Sequence, residues 1–181
     1  MKDLCELRYF FRIEVMRSDK GILLNQREYV LELISKVGLS GYKPVSTPME
    51  QNHKLTTVDY DKHVGNTRDA PLEDVCGYQK LIGKLLYLTI ARPDICFAIQ
   101  VLSQFMQSPE ESHIEATLRV VRYIKGSPGL GIHLSIGQTN TLTDYCDLDR
   151  AACPNTRRSV TSYVVKLGNS LYLGSQRSSR Q

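Results

Sequence analysis

The chain has 181 residues, 41% of them hydrophobic and 23% charged, and its formal charge is +4. That is one domain of ordinary size, or one small domain with a piece of a second, and the apolar share excludes a disordered tail. Five cysteines, odd in number and never spaced C-x-x-C, exclude a disulfide framework and a zinc knuckle and suit a reducing compartment.

From Tyr9 to Met16 apolar Phe11, Ile13 and Val15 alternate with Arg12 and Glu14, the pattern of a half-buried strand. Ser18 to Gly21 reads as a turn and Ile22-Leu23-Leu24 as the returning strand of a hairpin. Asn25 with Glu28 three residues on predicts a capping box, and Val30, Leu33, Ile34 and Val37 predict the amphipathic helix behind it, stopped at Gly38. Lys43 to Ala70 is polar, carries Pro44 and Pro48 and has no periodicity, so it reads as a long loop. A second helix is predicted over Leu72–Ile90, and Pro93 stands as the first residue of a third, lined by Ile95, Ala98, Ile99, Leu102, Phe105 and Met106. Ser108 to Glu111 predicts another capping box and a fourth helix ending at Gly126. After Gly131 the segments become short, alternating and β-branched, which places a domain boundary near residues 131–140. The expected class is α+β: a hairpin and helical bundle over 1–130, then an incomplete antiparallel sheet over 131–181.

Few constellations carry chemistry. Cys146 and Cys153 lie seven apart with no histidine near them, and His53, His63, His113 and His133 are scattered, so neither metal binding nor nucleophilic catalysis is indicated. The glycines have no phosphate-cradling spacing. Tyr9, Phe10 and Phe11 read as core residues beside a hairpin in preference to a base-stacking platform. From Tyr145 onward six Lys or Arg face two acids, which equals the whole positive excess of the chain. No run of about 18 apolar residues is present, and the first twenty lack the apolar centre of a signal peptide, so an intracellular chain without a membrane partner is expected.

A collinear string of motifs carries a resemblance. Glu6-Leu7-Arg8-Tyr9-Phe10, Thr47-Pro48-Met49, Tyr78-Gln79-Lys80-Leu81-Ile82-Gly83-Lys84-Leu85-Leu86-Tyr87-Leu88 and Arg92-Pro93-Asp94-Ile95 come first. Ser103-Gln104-Phe105-Met106, Arg122-Tyr123-Ile124-Lys125-Gly126, Asp147, Asp149, Cys153-Pro154 and Thr156-Arg157-Arg158-Ser159 follow. Together they resemble the polymerase of copia-type LTR retrotransposons over essentially the whole chain.

The resemblance implies a position after the paired-aspartate polymerase motif. The Tyr9–Leu24 hairpin would match the primer grip, the helices to Lys125 a thumb and connection bundle, and the strands after Gly131 the opening of a ribonuclease H domain. Asp147 would be the first ribonuclease carboxylate and a magnesium ligand in an intact domain. About four carboxylates hold two metal ions in that chemistry, so the 181 residues alone are expected to lack both activities and to carry no cofactor. In the parent enzyme Lys84, Arg122, Lys125, Arg157 and Arg158, with Arg119 beside them, are candidates to meet the phosphates of an RNA–DNA or DNA duplex; equally they form an ordinary solvated face. No small-molecule substrate is expected.

The family usually has glycine at Cys5, Arg12 and Ala152 and tryptophan at Arg150. Those departures read as drift: Arg12 removes a glycine that would allow close approach, and Arg150 puts a charge where a ring belongs. The rival reading is a non-enzymatic nucleic-acid-binding module kept for its basic face. A third is a chain with no molecular function that is expressed poorly or unfolds.

Overall fold

A computed structural model describes residues 6–50, 55–58, 60, 63, 69–137, 141–149, 159–168 and 170–179. The class is α+β, as expected. Its amino-terminal part is a four-stranded antiparallel sheet in the order β1-β2-β3-β4, built from Tyr9–Phe10, Ile13–Ser18, Gly21–Asn25 and Gly131–Ser135. Four helices stand between the third and fourth of these strands: α1 (Arg27–Lys36), α2 (Val75–Leu88), α3 (Cys96–Ser103) and α4 (Glu111–Lys125). A separate three-stranded sheet follows, β5 (Leu142–Asp149), β6 (Ser159–Leu167) and β7 (Ser170–Ser179).

The expected first strand is two strands. Phe10 pairs with Ile13, leaving Phe11 and Arg12 as a two-residue connection at φ 46° and 59°. Two successive positive φ values mark the turn that joins twisted strands with least splay, and Asn-Gly is its preferred sequence because bulky side chains resist that backbone. Contacts to the helices hold it. The Arg12 guanidinium bonds Glu32 of α1 and lies 5.4 Å from the Tyr29 ring centre, and the Tyr87 hydroxyl donates to the Phe11 carbonyl. Backbone conformation, more directly than close approach, explains why a glycine suits position 12. Position 5 and positions 150 and 152 lie outside the described residues. Tyr9, Phe10 and Phe11 are 52%, 55% and 72% exposed, which corrects the expectation that they are core.

The strand after the helices corrects a second expectation. Gly131–Ser135 pairs with β3, from Gly21 opposite Ser135 to Asn25 opposite Gly131. It therefore closes the amino-terminal sheet and does not open the later one. Gly131 makes that pairing possible, since a Cβ there would sit 2.1 Å from the Leu24 carbonyl oxygen. Non-local pairing of this kind leaves no trace in local periodicity.

Helix periodicity is read correctly and the caps are not. Asn25 is the last residue of β3; its side chain still accepts from the Arg27 amide at 3.1 Å, but Glu28 donates its amide to Glu14 of β2 at 2.9 Å. A carboxylate from the sheet thus does the work assigned to a local capping box. At α4 the box sits two residues later than expected. The Glu110 side chain accepts from the backbone of His113, and His113 Nδ1 accepts from the Glu110 amide at 2.8 Å. Helix α2 is shorter than Leu72–Ile90 and is capped by Asp74, which accepts from Gly77 at 2.8 Å. Pro93 opens a one-turn 3-10 helix, Pro93–Ile95, that runs into α3.

The core lies among the helices. Leu33 and Ile34 of α1, Ile82, Leu85 and Leu88 of α2, Ile99 and Leu102 of α3, and Val120, Val121 and Ile124 of α4 are all buried. Each such side chain contributes about 1.5–3 kcal/mol on leaving water, so this cluster dominates the stability of the bundle. Tyr78 is buried with them; its hydroxyl donates to the Leu102 carbonyl at 2.8 Å, and burial pushes its pKa up to about 12. Arg92 is only 1% exposed and ties α2 to the end of α4. Its guanidinium bonds both Asp94 oxygens at 2.9 and 2.7 Å and the Ser127 carbonyl at 2.8 Å, and lies 5.8 Å from the Tyr123 ring centre.

The described parts of the expected long loop are tied to the bundle. Val58, Tyr60 and His63 are helical, and residues 39–50 lie strapped along α4. The Thr56 carbonyl receives His113 Nε2 at 3.0 Å, so a histidine with no motif around it pins this segment to the bundle.

Candidate functional site

The one candidate carboxylate that the described residues place is Asp147, on β5. In the strand register Asp147 stands opposite Ser162 and Asp149 opposite Val160 of β6. Among the described residues no group of three or more His, Cys, Asp or Glu is arranged to hold a metal ion. Two carboxylates two residues apart on an outer strand offer too few donors for a pair of magnesium ions, which demand near-octahedral oxygen shells. The described residues therefore do not fit a two-metal centre by themselves, and no metal-dependent step can be derived from them.

The strand that bears Asp147 has little covering it. Leu142 and Tyr145 are 67% and 58% exposed, and Asp144 and Cys146 are exposed as well, so both faces of β5 reach solvent over its first half. The Lys166 ammonium of β6 sits 5.5 Å from the Tyr145 ring centre. Among the residues whose burial is described, this sheet adds none to the buried core cluster. Its contact with the first sheet includes Ser135 of β4, whose amide donates to the Ser170 hydroxyl at 2.8 Å.

The basic candidates fall into three groups. Arg157 and Arg158 lie outside the described residues. Lys84 is half-buried on α2, and its backbone carbonyl accepts from the Tyr29 hydroxyl at 3.3 Å. Arg119, Arg122 and Lys125 form a row along α4, and here the structure gives them internal work. Arg119 donates to Glu50 at 3.0 Å and to the Thr47 hydroxyl at 3.1 Å. Arg122 Nε donates to the Lys43 carbonyl at 3.0 Å. Lys125 Nζ reaches the carbonyls of Leu39 and Tyr42 at 3.1 and 2.7 Å and also that of Ser40. These ammonium and guanidinium groups give hydrogen bonds to carbonyls where α1 ends and the strap begins. Arg122 and Lys125, which the sequence offers equally as phosphate contacts or as a solvated face, fasten residues 39–43 in this structure.

Sequence reasoning missed His113 and Arg92. His113 is fully buried, stacks on Phe105 with ring centres 3.9 Å apart, and is held with Nδ1 as acceptor. Its proton therefore sits on Nε2, facing the Thr56 carbonyl. Arg92 and Asp94 are an internal knot; burial pushes the Asp94 carboxyl up, but the Arg92 guanidinium outweighs this and holds it below the usual carboxylate range.

Comparison with known proteins makes the family definite. The chain is 39% identical over 93% of its length to the retrovirus-related Pol polyprotein from transposon RE1 of Arabidopsis thaliana, and 38% identical over the same share to that of transposon RE2. It is also 31% identical over 93% of its length to an uncharacterized mitochondrial protein of Arabidopsis thaliana, 66% of which it covers. It belongs to the retrovirus-related Pol polyproteins of copia-type transposons. The chain spans about a tenth, 11%, of the RE1 and RE2 polyproteins. No protein-family model and no solved structure matches it.

Proposed function

We propose that these 181 residues are the part of a retrotransposon Pol polyprotein that joins the end of the reverse transcriptase to the start of ribonuclease H, and that alone they catalyse neither reaction. In the parent protein the work would be RNA-directed DNA synthesis with removal of the RNA strand, dependent on magnesium. The observation that carries this reading is Asp147 on the first strand of an antiparallel meander, in a chain that matches RE1 over 93% of its length.

The reading assigns definite roles. The described residues between 6 and 137 form a packed bundle that carries a hairpin with an exposed aromatic tip, and β5 supplies one carboxylate to a site that needs several. The sequence contains no adjacent pair of aspartates, so it offers no polymerase carboxylate centre of its own. The basic row on α4 fastens the strap, which weakens the rival reading of a binding module built on Arg122 and Lys125.

The test is extension of a primed RNA template and cleavage of an RNA–DNA duplex by the purified 181-residue chain with magnesium. No extension and no cleavage above buffer is the expected result. Turnover by the chain alone overturns the proposal.

A further inference from the structure

Two stretches of loop meet the start of α4, and one of them is held by an imidazole. Residues 69–72 dock through the backbone: the Leu72 amide donates to the Pro109 carbonyl at 2.9 Å, the Glu111 amide to the Ala70 carbonyl at 3.0 Å and the Ser112 amide to Asp69 at 3.2 Å. Residues 55–58 are met by His113, whose Nε2 lies 3.0 Å from the Thr56 carbonyl, and Leu55 next to Thr56 is part of the buried core.

Both nitrogens of the ring are committed, in opposite senses. Nδ1 accepts from the Glu110 amide at 2.8 Å, so it carries a lone pair and Nε2 carries the proton. The ring is fully buried and lies flat on Phe105. A second proton has one place to go, Nδ1, where it would meet the Glu110 N–H head on. The bond that caps α4 and the charged ring exclude each other.

Among the described residues few titratable groups surround the ring. On α4, Glu110 places Oε2 4.0 Å from Nε2, while Glu111 and Glu115 are exposed. Asp69 comes from the 69–72 stretch, and Tyr60 and His63, both exposed, follow the 55–58 stretch. From α2 comes Tyr78, beside the Thr117 hydroxyl that bonds the His113 carbonyl; burial pushes its pKa up to about 12, so it stays neutral. Helix α3 and residues 104–106 bring Phe105 and no charged side chain. The Glu110 carboxylate would attract an imidazolium, but it faces the nitrogen that is protonated in either state. It also accepts from the His113 backbone amide, so it cannot relieve the clash at Nδ1 without giving up its own half of the cap. Burial acts in the same direction, because it disfavours the charged ring.

We propose that His113 is an acid-sensitive latch. Neutral, it closes the first turn of α4 onto residues 55–58; protonated, it leaves the Glu110 amide and lets go of the Thr56 carbonyl. The open form binds a proton that the latched form does not. The latch is therefore full above the ordinary imidazole value of about 6.5 and weakens as pH falls below it. It is a property of the bundle and does not depend on the role proposed above for the parent protein.

The experiment is NMR of the isotope-labelled 181-residue chain between about pH 7.5 and about pH 5, on either side of that value. At the upper end His113 should show the tautomer with its proton on Nε2. Below about 6.5 the exchange protection of the Glu110 amide should fall by about tenfold per pH unit, the slope of one linked proton, while amides at the centre of α4 keep theirs. His113→Gln leaves an acceptor for the same amide, as in an ordinary capping box, but takes no proton. Its Glu110 amide should hold its protection across the range.

Constant protection of Glu110 in the wild type overturns the proposal, whether the ring stays neutral or pairs with the carboxylate as a cation. The same fall in His113→Gln would put the responsible proton elsewhere and overturn it too. So would a fall shared equally by the centre of α4, or a proton on Nδ1 at the upper end.

Discussion

Replacing Arg92 by methionine tests how the bundle is held together. The methionine keeps most of the side-chain volume and removes a guanidinium that is 1% exposed. Asp94 then loses both of its bonds from Arg92, at 2.9 and 2.7 Å, and the Ser127 carbonyl loses its donor at 2.8 Å. Breaking a buried pair from one side costs about 3–5 kcal/mol. The Asp94 side chain is 28% exposed and can recover some hydration, so about 2–3 kcal/mol is the expected loss.

For a chain of this size that is roughly 5–10 °C in thermal midpoint. The pH dependence has a definite sign. Asp94 is held below its ordinary range in the folded state, so its contribution is present above the unfolded carboxyl value. It is lost as pH falls through the lower, folded value. The gap between wild type and Arg92→Met should therefore be full at neutral pH and shrink in acid. Adding Asp94→Asn should recover part of the loss, because the stranded charge is gone. Urea unfolding of wild type, Arg92→Met, Asp94→Asn and the double variant at two pH values provides the measurement. A cost below about 0.5 kcal/mol, the level of an ordinary surface substitution, would refute the reasoning.

Other predictions follow from the turn, the cap, the strap and the strand pairing. The double change Phe11→Asn with Arg12→Gly suits the positive-φ turn and should raise stability by about 1 kcal/mol despite the lost Glu32 contact; a lower thermal midpoint would contradict it. His113→Leu removes the bonds it makes to the Glu110 amide and the Thr56 carbonyl and should cost about 2–4 kcal/mol, read by urea unfolding. Lys125→Met should speed hydrogen exchange across residues 39–43 at a global cost of about 1–2 kcal/mol, with the centre of α2 unaffected. Gly131→Ala drives a Cβ against the Leu24 carbonyl and should expose the β4 amides to exchange while α1 stays protected.

Much of the bundle is legible in the sequence because its apolar spacing is local. Val30, Leu33 and Ile34 announce α1, and Leu81, Ile82, Leu85 and Leu88 announce α2, with the buried faces where periodicity puts them. What escapes is whatever a distant element decides. The cap of α1 comes from Glu14 on a strand, and the cap of α4 uses an imidazole, which no capping signature includes. The first strand breaks at Phe11 because the backbone turns there against the preference of both turn residues. β4 reads as the opening of a new domain because β-branched alternation says nothing of which strand it joins.

The candidate site shows the same divide. A row of cations on one helix face looks identical in sequence whether it meets phosphates or backbone carbonyls, and Arg122 and Lys125 meet carbonyls. Asp147 is a candidate only through the collinear resemblance, since one aspartate on a strand carries no signal of its own.

The central claim is that Asp147 is a ribonuclease H carboxylate lacking its partners in these 181 residues. Its most direct test is a version of the chain extended at both ends to match the RE1 polyprotein, assayed with and without Asp147→Asn. The account predicts magnesium-dependent cleavage of an RNA–DNA duplex by the extended chain, lost by a factor of about a thousand or more in Asp147→Asn, with primer extension retained. Equal cleavage with and without Asp147→Asn, or cleavage by the 181-residue chain alone, would contradict it.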